Sequence, residues 1–227
     1  MIQVNNLTFS YGKSLVINQL NWNLACGRVH GLVGMNGAGK TTLFNLLAGW
    51  LNPATGNIML RNSPIRKNNC GFMETNPFFY PMITGREYLQ VFMLKNKAFE
   101  PEPWNRIFKL PLDEVVDNYS TGMLKKLSLM GMLALDRELL ILDEPFNGLD
   151  FEAVRQVQQI LPALASKGKT VIVSSHITES LTTISHSISL LREGKIDFTL
   201  QKDQFGDLES MIQSSGGPSL EAKDFPL

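Results

Sequence analysis

The sequence predicts an α/β fold with a mostly parallel core sheet, an antiparallel β flank and a short helical subdomain. Three observations carry that prediction. Short β-rich runs alternate with helical patterns along most of the chain, the mark of parallel strands joined by right-handed crossover helices. Leu139-Leu140-Ile141-Leu142 and Thr170-Val171-Ile172-Val173 are apolar without interruption, as strands covered on both faces must be. Residues 85–135 break the alternation and read as a helical insertion. With 227 residues, 44% of them hydrophobic, the chain can bury one sizeable core and a small subdomain beside it.

Taken in order, the segments near residues 2–4, 15–24 and 57–60 alternate apolar with polar side chains, which suits the antiparallel flank, with Gly56 as a turn between two of them. Val29-His30-Gly31-Leu32-Val33 reads as a strand running into a glycine-rich loop, and Thr42 to Ala48 as the helix after it. Tyr88, Leu89, Phe92 and Met93 recur at helical spacing, Pro101 and Pro103 interrupt, and a second helical run extends from about Gly122 to Leu135. The two uninterrupted apolar strands belong at the centre of the sheet. Arg192-Glu193-Gly194-Lys195 then turns the chain into a last strand, Ile196 to Leu200. Residues 203–227 are expected to be a mobile tail, most clearly from Ser214-Ser215-Gly216-Gly217-Pro218 onward.

Composition removes several function classes. The formal net charge is +0, so the global attraction used in non-specific nucleic-acid binding is missing and no nucleic-acid partner is expected. No apolar stretch approaches the roughly 18 to 20 residues of a membrane-spanning helix. Met1-Ile2-Gln3-Val4-Asn5 lacks a basic start and an apolar core, so no secretory signal is visible and a cytoplasmic location is expected. Cys26 and Cys70 have no CxxC or histidine companion, which argues for buried free thiols over a disulfide or zinc site.

Gly34-Met35-Asn36-Gly37-Ala38-Gly39-Lys40-Thr41 matches the phosphate loop Gly-x4-Gly-Lys-Thr in its required strand–loop–helix setting. The glycines let N–H groups of residues such as Asn36, Gly37, Ala38, Gly39 and Thr42 curl around phosphate oxygens, and the helix aims its positive end at them. Lys40 reaches the β- and γ-phosphates, and Thr41 offers its hydroxyl to Mg²⁺. Asp143-Glu144 closes the apolar strand at its carboxyl edge, where ligands bind in a doubly wound sheet. There Asp143 would hold Mg²⁺ through water and Glu144 would polarise an attacking water as general base. Two solvated acids at a strand end would be the bland reading if the phosphate loop were absent. The loop and the carboxylates together indicate a P-loop NTPase.

With five more segments added, the chain resembles the ATP-binding subunits of ABC transporters over about residues 1–200. Asn118-Tyr119-Ser120-Thr121-Gly122-Met123 stands at the signature position usually written Leu-Ser-Gly-Gly-Gln; Ser120 and Gly122 match, while Tyr119, Thr121 and Met123 depart. The resemblance implies that Ser120, Thr121 and Gly122 contact the γ-phosphate held by another subunit, where a plain helix cap is the alternative. Pro145-Phe146-Asn147-Gly148-Leu149-Asp150 comes next as the D-loop, with Asp150 at a dimer interface and also an N-cap. Ser174-Ser175-His176 resembles the switch histidine, and Tyr11 in Phe9-Ser10-Tyr11-Gly12 either stacks on adenine or packs in the core. In Cys70-Gly71-Phe72-Met73-Glu74-Thr75-Asn76-Pro77, Thr75 occupies the Q-loop glutamine position. Either Thr75 reaches the metal through an extra water, or Glu74 substitutes, or the loop only couples to a partner.

The resemblance implies a division into a nucleotide-binding core, first over residues 1–84 and again over 136–202, around a helical subdomain at 85–135. It implies Mg²⁺-dependent ATP hydrolysis in a head-to-tail dimer with a second copy or a homologous ATPase. A separate transmembrane subunit would dock near the Q-loop, holding the chain on the cytoplasmic face of the membrane. The Glu74-Thr75-Asn76-Pro77 and Tyr119-Ser120-Thr121-Gly122 variants are similar to those of exporters. The rival readings are a soluble ABC-type ATPase and a nucleotide-dependent dimerisation switch with little turnover.

Overall fold

The computed structural model describes residues 1–215. In chain order its strands are β1 (Ile2–Tyr11), β2 (Ser14–Leu24), β3 (Val29–Val33), β4 (Thr55–Leu60), β5 (Ser63–Pro64), β6 (Cys70–Met73), β7 (Leu139–Leu142), β8 (Thr170–Ser174), β9 (Ser187–Arg192) and β10 (Lys195–Gln201). The α-helices are α1 (Lys40–Leu47), α2 (Gly85–Met93), α3 (Pro101–Phe108), α4 (Thr121–Ala134), α5 (Phe151–Ser166), α6 (Thr178–Thr182) and α7 (Leu208–Ser214).

The core sheet has the order β10-β9-β3-β8-β7-β6, parallel throughout except for the β9–β10 hairpin. The β7 and β8 runs lie inside it and are buried at every residue. Their uninterrupted hydrophobicity has a direct cause, because successive side chains serve opposite faces. Leu139, Ile141 and Ile172 pack with α1, while Leu140, Leu142, Val171 and Val173 pack with α4, α5 and the helical insertion. The second sheet, β2-β1-β4-β5, is antiparallel and covers the far side of α1. Helix α1 is therefore enclosed by two sheets, with Leu43, Phe44 and Leu47 at zero exposure. Truncating Phe44 to Ala would cost about 3–5 kcal/mol. Trp22 of β2 ties the sheets together by donating its indole N–H to Ser189 of β9 at 2.8 Å.

Three expectations need correction. Gly56 is not a turn between strands but the second residue of β4, with φ 83°. It sits where the β1–β4 register shifts, and a Cβ there would lie 2.4 Å from the Asn5 carbonyl, so only glycine fits this bulge. Residues 203–214, expected to belong to a mobile tail, hold regular structure: a 3₁₀ helix over Lys202–Asp207 leads into α7. Leu208 is 1% exposed, and Phe205, Met211 and Ile212 pack beside it, an apolar face hidden in a polar composition. The expected mobility of residues 216–227 lies outside the described residues. Finally, both cysteines are free, but only Cys70 is buried; Cys26 is half-buried and accepts a hydrogen bond from the Met1 ammonium.

Candidate active site

Strand β3 delivers the chain to Gly34 and α1 opens at Lys40, so residues 34–39 form the intervening loop. Gly37 at φ 82° and Gly39 at φ 102° take left-handed backbone that other residues rarely adopt. That curvature lets consecutive N–H groups converge on an anion. Lys40 is 8% exposed, and its ammonium donates to the carbonyls of Gly34 (2.7 Å) and Met35 (3.3 Å), folded back over its own loop.

Asp143 and Glu144 emerge from β7 beside that loop. Both carboxylate oxygens of Asp143 are occupied: Thr41 donates its hydroxyl to Oδ2 at 2.6 Å, and Ser174 donates to Oδ1 at 2.5 Å. The same Ser174 Oγ accepts the Glu144 N–H at 2.9 Å. Glu144 has φ 50°, a strained conformation for a residue with a side chain. Its Oε2 accepts from the His176 ring Nδ1 at 2.9 Å and from the His176 backbone N–H at 3.3 Å. With a carboxylate as acceptor, Nδ1 carries the ring proton and Nε2 is left for other partners.

These residues surround one cavity of about 620 Å³. Of the residues expected at the site, Asn36, Gly37, Gly39, Lys40, Thr41, Thr42, Asp143, Glu144 and His176 all line it. Thr75 lines it too and Glu74 does not. Tyr11 does not line it, and Val16 does; at 52% exposure and edge-on to Phe9, Tyr11 is not packed in the core. Ala38 lines a neighbouring cavity of about 480 Å³ with Leu190, Arg192 and Ile212.

Ser120, Thr121 and Gly122 are elsewhere. They line a separate cavity of about 490 Å³ together with Lys126, Gly148 and Asp150. Ser120 caps α4, its hydroxyl accepting the Met123 N–H at 3.3 Å, and Asp150 caps α5 by accepting the Ala153 N–H at 2.7 Å. A Cβ on Gly122 would come within 3.0 Å of the Gly148 carbonyl, so the start of α4 is fitted closely to the 145–150 loop. Tyr119, a departure from the signature pattern, is 7% exposed and donates its hydroxyl to the Pro111 carbonyl at 2.7 Å; it anchors the helical insertion.

Residues 17–147 match the ABC transporter family. The chain belongs to it. It is 29% identical over 221 residues to the lantibiotic transport ATP-binding protein SrtF of Streptococcus pyogenes, covering 94% of this chain and 96% of that one. It is 30% identical over 208 residues to the bacitracin transport ATP-binding protein BcrA of Enterococcus faecalis, covering 86% and 68% of the two chains. The solved structure of an ATP-binding subunit of an ABC transporter superposes with a TM-score of 0.83 at 24% identity, covering 96% and 95%. The protein is thus an ATP-hydrolysing, ATP-binding subunit of an ABC transporter with the P-loop NTPase fold, and no helix among its described residues is long and apolar enough to cross a membrane.

Two features of this ABC subunit escape a reading of its sequence. Ser174 joins both carboxylate residues, yet reads as a small residue ending a strand. Lys125 donates its ammonium to the Glu144 carbonyl at 2.8 Å although it reads as one of a surface Lys-Lys pair. Burial draws the Lys125 pKa below the ordinary lysine value, opposed by the nearby Glu144 and Asp143 charges. The donor set also fits the metal the family uses. No group of three or more His, Cys, Asp or Glu among the described residues can hold an ion alone. The Thr41 hydroxyl and Asp143 carboxylate are hard oxygen donors of the kind that bind Mg²⁺ when phosphate oxygens and water complete its shell.

Proposed function

We propose that this subunit hydrolyses ATP in a head-to-tail dimer and thereby drives a separate membrane subunit of an exporter. The observation that carries the dimer is the separation of the two cavities: the phosphate-loop cavity and the Ser120 cavity share no residue. A helix start capped by Ser120 and fitted to Gly148 is of no use to its own phosphate loop, but in a head-to-tail pair each would complete the other.

In this reading the loop N–H groups and Lys40 hold the β- and γ-phosphates, the Lys40 ammonium exchanging two carbonyls for phosphate oxygens. Thr41 and Asp143 hold Mg²⁺, which neutralises phosphate charge when bound, with Thr75 turned toward the same space. Glu144 takes the proton of the attacking water, and His176 fixes the carboxylate by two hydrogen bonds at the edge of the space the γ-phosphate would fill. Ser120, Thr121 and Gly122 serve the partner's nucleotide, and Asp150 stands at the junction. Phe78, Tyr80 and Met82, beyond Thr75, are exposed, as are Val91 of α2 and Leu94 just after it, and such exposed apolar side chains suit a membrane subunit's cytoplasmic helix. Docking there would hold the chain peripherally on the cytoplasmic face. The similarity to subunits for lantibiotic and bacitracin transport supports an exporter.

Sedimentation tests the dimer. Glu144→Gln keeps ATP binding and removes the base, so it should sediment as a dimer with ATP and as a monomer with ADP. Ser120→Arg in that background should return the ATP form to monomer. A Glu144→Gln protein that stays monomeric at micromolar concentration and saturating ATP would refute unassisted dimerisation.

A further inference from the structure

Lys125 lies in the second turn of α4, 3% exposed, with its single hydrogen bond among the described residues going to the Glu144 carbonyl. An ammonium removed from water loses its hydration, of which a neutral carbonyl returns only part. The Asp143 and Glu144 carboxylates favour the charge from a distance. If the position served only to pack α4 against the 145–150 loop, an apolar side chain of similar length would do so at lower cost. The group is therefore to be understood through what it grips.

What it grips is the backbone of the residue proposed as base. Glu144 is held on both sides of its α-carbon: Ser174 Oγ accepts its N–H at 2.9 Å, and Lys125 and the Asn147 N–H (3.3 Å) both donate to its carbonyl. At φ 50° this residue holds a left-handed backbone that side chains disfavour. Unpinned, the peptide joining Glu144 to Pro145 would relax and swing the Cα–Cβ bond, moving the carboxylate off the line set by His176. Of the two donors to that carbonyl, the ammonium is the closer and the charged one.

We propose that Lys125 is a positioning residue for hydrolysis: by holding the Glu144 carbonyl from α4 it keeps Glu144 in its left-handed conformation and its carboxylate aimed into the nucleotide cavity. The proposal rests on the reading of Glu144 as base. It makes Lys125 matter for the chemical step and not for nucleotide affinity, since its ammonium lines neither cavity.

The test compares Lys125→Met, which keeps length and removes the donor, with Lys125→Arg, which keeps a charged donor, each in the wild-type and Glu144→Gln backgrounds. Steady-state ATP hydrolysis, ATP affinity and thermal melting are measured on the full chain. Lys125→Met should melt cooperatively and bind ATP within about two-fold of wild type, while kcat falls about ten-fold or more. Lys125→Arg should restore turnover to within about three-fold of wild type. In the Glu144→Gln background, Lys125→Met should cost less than about two-fold further, because its route of action is already gone. Equal losses in both backgrounds, a loss of affinity in place of kcat, or a Lys125→Met chain that does not fold would each overturn the proposal. Wild-type turnover in Lys125→Met with Glu144→Gln inactive removes this proposal alone; wild-type turnover in Glu144→Gln removes the base reading and the proposal with it.

Discussion

Ser174→Ala deletes one oxygen that makes two bonds at the centre of the site. Ser174 has zero exposure. Its hydroxyl donates to Asp143 Oδ1 at 2.5 Å, and a bond to a charged group contributes about 1.5–3 kcal/mol. The same oxygen accepts the Glu144 N–H, and leaving a buried donor unpaired costs about 1–3 kcal/mol. The two effects overlap through local relaxation, so the expected loss is about 2–4 kcal/mol. Ser175→Ala is the control: that residue is 1% exposed, but its hydroxyl accepts only the Ile177 N–H at 3.0 Å, a loss of about 1 kcal/mol. Urea denaturation of nucleotide-free protein measures both. With Asp143 less firmly oriented, the Mg²⁺ concentration for half-maximal turnover in Ser174→Ala should also rise about ten-fold. A Ser174→Ala chain no less stable than Ser175→Ala, with an unchanged Mg²⁺ requirement, would refute the idea that this hydroxyl organises the two carboxylates.

Two further predictions concern the frame around the site. A Cβ at Gly85 would stand 2.4 Å from the Tyr119 hydroxyl oxygen and 3.3 Å from the next ring atom, so Gly85→Ala should lower stability by about 1–3 kcal/mol, and adding Tyr119→Phe should recover part of that loss although Tyr119→Phe alone destabilises; additive losses by denaturant titration would contradict the clash. His30 is 4% exposed, its Nε2 donating to the Ala25 carbonyl and its Nδ1 accepting from Ser187, and burial, with His186 and Arg28 nearby, holds its pKa below 6.5. The folded chain then binds this proton less readily than the unfolded one, so the contribution is complete above about pH 6.5 and is lost as pH falls from there toward the folded pKa. His186, also lowered by burial, acts in the same direction. Denaturation midpoints should drop between about pH 7.5 and 5.5, less so in His30→Gln; equal midpoints in the wild type would contradict the shift.

The phosphate loop, Asp143-Glu144 and His176 could be read from the sequence because each directly succeeds a strand whose apolar run sets its place. β3, β7 and β8 lie side by side in the sheet, in the order β3-β8-β7, so the loops leaving their carboxyl ends must meet. Lys125 could not be read this way. From Leu127 to Ala134 helix α4 is buried on every side, and which of two adjacent lysines goes inward depends on where the 145–150 loop passes. The exposure of Tyr11 likewise depends on the irregular β1–β2 pairing, whose register shifts strict alternation does not foretell. The order in residues 203–214 comes from four apolar side chains finding the core, which composition averages away.

Two inactive variants, each defective in a different half of the site, reveal whether two chains share it. Lys40→Ala should lose its own phosphate loop but keep a working Ser120 segment, and Ser120→Arg should be its complement. If each nucleotide sits between one chain's phosphate loop and the other's Ser120, then a mixed dimer contains one intact site. The mixed dimer is the one pairing with a working site, and it has one of two, so an equal mixture should regain ATP hydrolysis up to about half of the wild-type rate while each variant alone stays inactive. A mixture as inactive as its parts, or a Ser120→Arg protein that hydrolyses ATP at the wild-type rate, would contradict a nucleotide site shared between two chains.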